Sequence, residues 1–122
     1  MLLDSNIIIY AAEPGYDEVR EFIAKHAPAV SVISKVEVLG YHKLSNENRQ
    51  KLERIFQAMP VLTLSSAIID RAISLRQTQK ISLGDALIAA TALVHELTVV
   101  TANTKDFNWI DDLEFINPVA QK

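Results

Sequence analysis

The chain has 122 residues, 49% of them hydrophobic, with no cysteine and a formal net charge of −3. This length suits one domain over residues 1–122 with its own core, and the missing cysteine excludes disulfides, thiolate metal sites and a cysteine nucleophile. Four of the 15 acids, Asp4, Glu37, Asp85 and Asp106, are candidate metal ligands; setting them aside nearly balances the rest against the 12 bases, so charge neither excludes nor favours a polyanionic partner.

Taken in chain order, Met1 to Leu3 opens as a strand and Ile7 to Ala12 as a short helix, with a turn at Pro14-Gly15. Met1-Leu2-Leu3 runs straight into Asp4 with no basic segment, so no secretory leader is expected. Tyr16 to His26 carries Val19, Phe22 and Ile23 at helical spacing. Ala29 to Val32 follows Pro28 as a strand. Ser34 to Leu44 and Asn46 to Met59 read as helices, the second with Leu52, Ile55, Phe56 and Met59 on one stripe. That stripe fills a core or serves an interface.

Pro60 stops the second of these helices, and Val61 to Leu64 is a strand. Ser65-Ser66 caps a helix running to about Lys80, with Ile68, Ala72 and Leu75 inward. Asp85 to Leu97 is apolar on almost every side, so it is central or lies at an interface. Its run Ala86 to Val94 is the longest apolar stretch and is too short to span a membrane. Thr98 to Thr101 and Phe115-Ile116 complete the strands. Strands alternating with helices indicate an α/β domain with a mainly parallel sheet of four to five strands. Ligands bind such sheets beyond the carboxyl ends of the strands, where Asp4 and Asn103 stand.

The acids carry the chemistry. Asp4 follows a strand and precedes an apolar helix, so it suits an N-cap or a ligand. Glu37 falls on a helical stripe with Ile33, Val36, Gly40 and Leu44, which predicts a carboxylate on the apolar side that needs a partner cation. Lys35 and His42 lie off that stripe and face solvent. Ser82 is the better cap for the helix that contains Asp85, which leaves Asp85 in the first turn with Gly84 loosening the approach. Asn103 and Asp106 follow a strand, where polar residues form a turn or hold a metal's water. Carboxylates brought together repel unless cations hold them, and oxygen-only ligands select Mg²⁺ or Mn²⁺. Those ions suit phosphodiester hydrolysis.

His26, His42 and His95 lie in helical patterns and read as surface or satisfied helix residues, and Gly-rich phosphate loops are absent. Lys35, Lys43, Lys80 and Lys105 stand near the acidic motifs, although the ordinary reading is solvated lysine. No aromatic platform for base stacking is evident.

Four segments, in order, resemble the motifs of PIN-domain proteins, especially VapC-type toxins: Leu2-Leu3-Asp4-Ser5-Asn6-Ile7-Ile8, Ser34-Lys35-Val36-Glu37-Val38-Leu39-Gly40, Leu83 to Ala92, and Val100-Thr101-Ala102-Asn103-Thr104-Lys105-Asp106-Phe107. The third is the closest. The resemblance implies a three-layer α/β/α fold and single-strand endoribonuclease activity requiring Mg²⁺ or Mn²⁺. It implies that Asp4, Glu37 and Asp85 are the family's invariant carboxylates. Asn103 matches a position that varies between Asp and Asn, and Asp106 in the same motif supplies charge through water. Asp4 and Asp85 are then direct ligands. Glu37 orients or deprotonates the water, or ligates a second metal.

Ser5 replaces a more usual Thr, and Ala102 a frequent basic residue; both changes bear on substrate contacts. The resemblance further implies a small VapB-like antitoxin as partner, a homodimer and a cytoplasmic setting, which the absence of cysteine also fits. A haloacid-dehalogenase-like phosphatase would need a second acid two residues after Asp4, where Asn6 stands. A catalytically inactive PIN-like module that binds RNA or protein would have lost a carboxylate.

Overall fold

Five short strands, β1 (Leu2–Leu3), β2 (Ala29–Ser31), β3 (Val61–Leu62), β4 (Val99–Val100) and β5 (Phe115–Ile116), pair in the order β3-β2-β1-β4-β5 in a computed structural model that describes residues 1–119. Every pairing is parallel; Leu2 lies opposite both Ala29 and Val99, and Leu3 opposite Val30 and Val100. Successive strand residues point to opposite faces. Leu3, Val30 and Val100 therefore enter one core and Leu2 and Val99 the other.

The first core lies under α1 (Ser5–Ala11), α2 (Asp17–His26), α3 (Val32–Leu39) and α4 (Asn46–Gln57), through Ile7, Ile8, Val19, Val38, Leu52 and Phe56. The second lies under α5 (Ser66–Thr78) and α6 (Leu83–His95). The result is the three-layer α/β/α arrangement, with five strands. Helix α6 is central: Ala86 to Ala92 are all buried, as its apolar surround predicts. Ile68, Ala72 and Leu75 of α5 face it from inside, and Leu52 and Phe56 of α4, with Met59 just past its end, are spent on the core. No helix among the described residues is long and apolar enough to cross a membrane.

The chain runs outward from β1 to β3, then returns to place β4 on the other side of β1. The order reverses between β1 and β4, and a crevice opens beyond their carboxyl ends at such a point. After β4 the chain makes a short 3-10 turn, Thr104–Asp106, tied down by fully buried Phe107. Burying a ring of that size contributes about 2–3 kcal/mol, so the turn beside the crevice is anchored.

Some boundaries differ from expectation. Helix α6 begins at Leu83, because the Ser82 hydroxyl accepts the Asp85 N–H at 3.1 Å. Helix α3 begins at Val32, capped by Ser31, and ends at Leu39 with Gly40 as its C-cap. Residues 40–45 are therefore not helical, and His42 sits in a turn closed by Leu44 N–H donating to the Tyr41 carbonyl at 3.1 Å. This changes the face that Glu37 occupies. Ser34 and Val38 turn inward, Val36 is 63% exposed, and Glu37 is exposed as well. The expected buried stripe through Val36 and Gly40 does not exist, because the helix stops before it can complete one.

Candidate active site

Asp4 is the buried centre of the site. It leaves β1 with extended backbone and caps α1, its Oδ1 accepting the Ser5 N–H at 2.8 Å. Its Oδ2 accepts the Thr101 hydroxyl at 2.8 Å. The cap and the site are one residue, so the two readings of Asp4 do not compete. Asp4 is only 4% exposed. Burial pushes its carboxyl up to about 6, against the pull of the Thr101 and Ser5 hydrogen bonds and with the charges of Asp85 and Glu37 adding to the rise.

Asp85 stands half-buried in the first turn of α6. Its carboxyl is also raised, chiefly by burial, with a side-chain bond to Ser82 opposing and the charges of Asp106 and Glu37 reinforcing. Glu37 reaches the crevice from α3. Its Oε1 accepts the Ser5 hydroxyl at 2.9 Å, and Ser5 Oγ also lies 2.9 Å from Ser34 Oγ. One hydroxyl carries one proton, so Ser34 donates to Ser5 and Ser5 to Glu37. The other end of Glu37 lies against Gly84: a Cβ there would stand 2.3 Å from Oε2. Only a glycine at this position lets the carboxylate lie on the first turn of α6, beside Asp85.

Asp4, Glu37 and Asp85 thus act on one another through charge and Asp106 acts on Asp85, although the four come from separate segments. Asn103 enters differently. It is exposed, its N–H donates to Thr101 Oγ1 at 3.0 Å, and its carbonyl accepts the Asp106 N–H at 3.0 Å. Its backbone shapes the turn that presents Asp106. The Trp109 indole N–H donates to the Asp106 carbonyl at 3.0 Å and braces the same turn.

Thr101, Ser34 and Trp109 are positioning residues that the sequence reading did not single out. A short polar side chain at the end of a buried strand was the available signal for Thr101. Its hydroxyl is fully buried and serves Asp4 and Asn103 together. Thr101→Val is expected to destabilise the fold by about 1–3 kcal/mol, since it leaves a buried carboxylate oxygen and an N–H short of partners. It should also raise the Asp4 pKa further. Thermal unfolding and NMR titration of the Asp4 carboxyl check both, with Thr101→Ser close to wild type.

The cluster has no cation of its own. Among the described residues the ion pairs are Arg20–Asp17 and Lys51–Glu47, both outside it. Nor do three acids among these residues converge as a ready ligand set. Asp4, Glu37 and Asp85 each rest on a protein donor rather than on a shared point, as mutual repulsion favours. A buried carboxylate with no counter-charge, with Asp85 and Glu37 acting on it and Asp106 acting on Asp85, all offering only oxygen, is a donor set suited to a hard divalent cation.

Of the four lysines near the motifs, Lys35 lines a cleft with Glu53 and Phe56, away from the acids. Lys43 lines a groove that contains Glu37. A cavity of about 500 Å³ between Arg71, Glu96 and Glu114 opens at the opposite ends of the strands and contains none of the four acids.

The family pattern described as PIN domain matches residues 1–113. The chain is 30% identical over 127 residues to Ribonuclease VapC1 of Rickettsia felis, covering 95% of this chain and 94% of that protein. Its fold is similar to that in a toxin-antitoxin complex from Klebsiella pneumoniae, with a TM-score of 0.78, 32% identity and 96% of each chain covered. It is also similar to VapBC2 from Rickettsia felis bound to a promoter DNA fragment, with a TM-score of 0.81, 27% identity and 95% and 96% of the two chains covered. An acid cluster at the switch point of a five-stranded parallel sheet, with relatives that share nearly its whole length, shows that the chain belongs to the PIN-domain family and to its VapC-type members.

Proposed function

We propose that the chain is an endoribonuclease dependent on Mg²⁺ or Mn²⁺, and the toxin of a type II toxin–antitoxin pair in the cytoplasm. The observation that carries this reading is Asp4: a carboxylate 4% exposed, raised by burial, subject to the charges of Asp85 and Glu37 and paired with no cation. The similarity to a protein named as a ribonuclease supports the reaction, and the likeness to toxin-antitoxin and VapBC complexes supports the partner.

Asp4, Asp85, Glu37 and Asp106 would hold the metal, with Asn103 beside its water shell. When bound, the ion polarises the scissile phosphate and makes a water acidic enough to attack near neutral pH. The protein's own groups prepare the rest. Thr101 and the Ser5 N–H hold the Asp4 carboxylate in one orientation. The Ser34–Ser5 relay engages Glu37 Oε1, and Oε2, which faces α6, would accept a proton from the attacking water. The Trp109 bond steadies Asp106.

Partners follow from the same reading: single-stranded RNA as substrate, a small VapB-like antitoxin as inhibitor, and a second copy as homodimer partner. Exposed Ile69 and Ile73 on α5 offer apolar surface for the last.

The test is cleavage of a pool of cellular RNAs by purified protein. EDTA is expected to abolish it, Mn²⁺ to restore it, and Glu37→Gln to lower it by about 100-fold or more. Cutting that survives chelation overturns the metal mechanism.

A further inference from the structure

The non-helical turn after α3 creates a feature that the acid cluster does not explain. A groove of about 370 Å³ runs from Glu37 between α1, α3 and α4. Ile9, Val38 and Leu52 line it with apolar surface, and Tyr41, Lys43, Asn48 and the acid Glu13 with more polar surface. Tyr41 is 54% exposed, although it is a large ring beside an apolar surface. The Leu44 N–H bond to the Tyr41 carbonyl at 3.1 Å fixes Tyr41 and Lys43 on one tight turn. The His42 ring packs against Tyr41 edge-on, with centroids 5.2 Å apart and planes at 60°. The flat ring is thus held in place beside the crevice without being covered.

We propose that Tyr41 and Lys43 form the subsite for the nucleotide adjacent to the scissile phosphodiester, the tyrosine stacking on its base and the lysine meeting its phosphate. The inference rests on the ribonuclease reading above and names how its substrate is gripped. The groove shares Glu37 with the acid cluster, so a strand lying in it passes the reactive centre. The site's acids repel a polyanion, so a strand needs a cation and a stacking surface close by. Lys43 supplies the first and Tyr41 the second; Lys35 cannot, since it lines a different cleft. Every base has a π-face, so stacking grips single strands with little regard to sequence. Asn48, with one donor and one acceptor group, is placed to add preference at a base edge.

Binding is read apart from cleavage. Fluorescence anisotropy with labelled single-stranded RNA oligonucleotides of mixed sequence is measured in EDTA, on the full chain. Tyr41→Ala is expected to weaken binding by about 5- to 150-fold, the range for losing one base–aromatic stack, with Tyr41→Phe within about twofold of wild type. Lys43→Ala should weaken binding and flatten its salt dependence by about one phosphate contact. Circular dichroism verifies folding of each variant.

Tyr41→Ala that binds like wild type, while wild type cleaves RNA, overturns the subsite and leaves the ribonuclease standing. Unchanged RNA binding with weakened inhibition by the antitoxin overturns it too, and gives the groove to the protein partner. Tyr41-dependent binding by a wild type that cuts nothing keeps Tyr41 as a base-stacking site but overturns both the hydrolytic reading and the placing of the subsite beside a scissile bond.

Discussion

Asp4→Asn is expected to stop RNA cleavage, by more than about 100-fold, and in chelator to make the protein more stable. The two effects share one cause. Asp4 is 4% exposed, and its carboxyl is pushed up to about 6 from 3.8. The folded protein therefore binds its proton more tightly than the unfolded chain does. Between about pH 4 and 6 the native state holds more protons, so this group's contribution to stability falls as pH rises through that window. Above pH 6 the full cost remains, about 3 kcal/mol for a shift of this size. A bound divalent cation would offset it, and a neutral side chain removes it.

Asn keeps an acceptor for the Ser5 N–H but replaces the oxygen that takes the Thr101 hydroxyl. The net gain is then about 1–3 kcal/mol at pH 7.5, or several degrees in Tm, shrinking to nothing below about pH 4. Thermal unfolding across pH in EDTA reads the gain directly. A variant less stable than wild type at pH 7.5 would contradict the account of Asp4 as an uncompensated buried charge. Added Mn²⁺ should stabilise wild type at pH 7.5 far more than the variant.

Gly84→Ala separates the site from the fold in another way. The new Cβ would stand 2.3 Å from Glu37 Oε2 and 2.9 Å from its Cδ. Real Cβ atoms do not approach so closely, so something must move. Glu37 is exposed at the end of a flexible side chain, so it swings away at little cost and the fold persists. Within a helix, Ala for Gly stabilises by about 0.5–1 kcal/mol. The expected result is an unchanged or higher Tm with cleavage lowered by about 10- to 100-fold, the cost of misplacing a reacting group by about 1 Å. Adding Glu37→Gln to Gly84→Ala should then cost little more, because both changes remove one interaction. Full additivity of the two would show that Gly84 acts elsewhere.

Much of the fold was legible along the chain. The apolar surround of Ala86 to Ala92 foretold a central helix, and those residues are all buried. Ser82 was the better cap by position, and it caps α6. Asp4, one residue past a strand, lies where a parallel sheet opens. The reading of Glu37 went astray for a definite reason. The expected stripe through Leu44 needs a helix longer than α3, which ends at Leu39, and Val36, expected inside, is 63% exposed. Glu37 is instead held by Ser5 and made room for by Gly84.

The sequence by itself determined the type of each layer and most of the residues that fill it, because helix and strand periods report which face is apolar; the choice of candidate acids leaned on the family resemblance. Only the tertiary structure decided that Thr101 holds Asp4, that Asp106 bears on Asp85 while Asn103 serves through its backbone, and that Tyr41 and Lys43 border Glu37. Asp4 and Thr101 meet because β4 returns to lie beside β1, after the intervening chain has built the other half of the sheet. Strand order is set by how the crossovers pack and not by any local pattern. Residues that converge through it carry no mark in the sequence of the company they will keep.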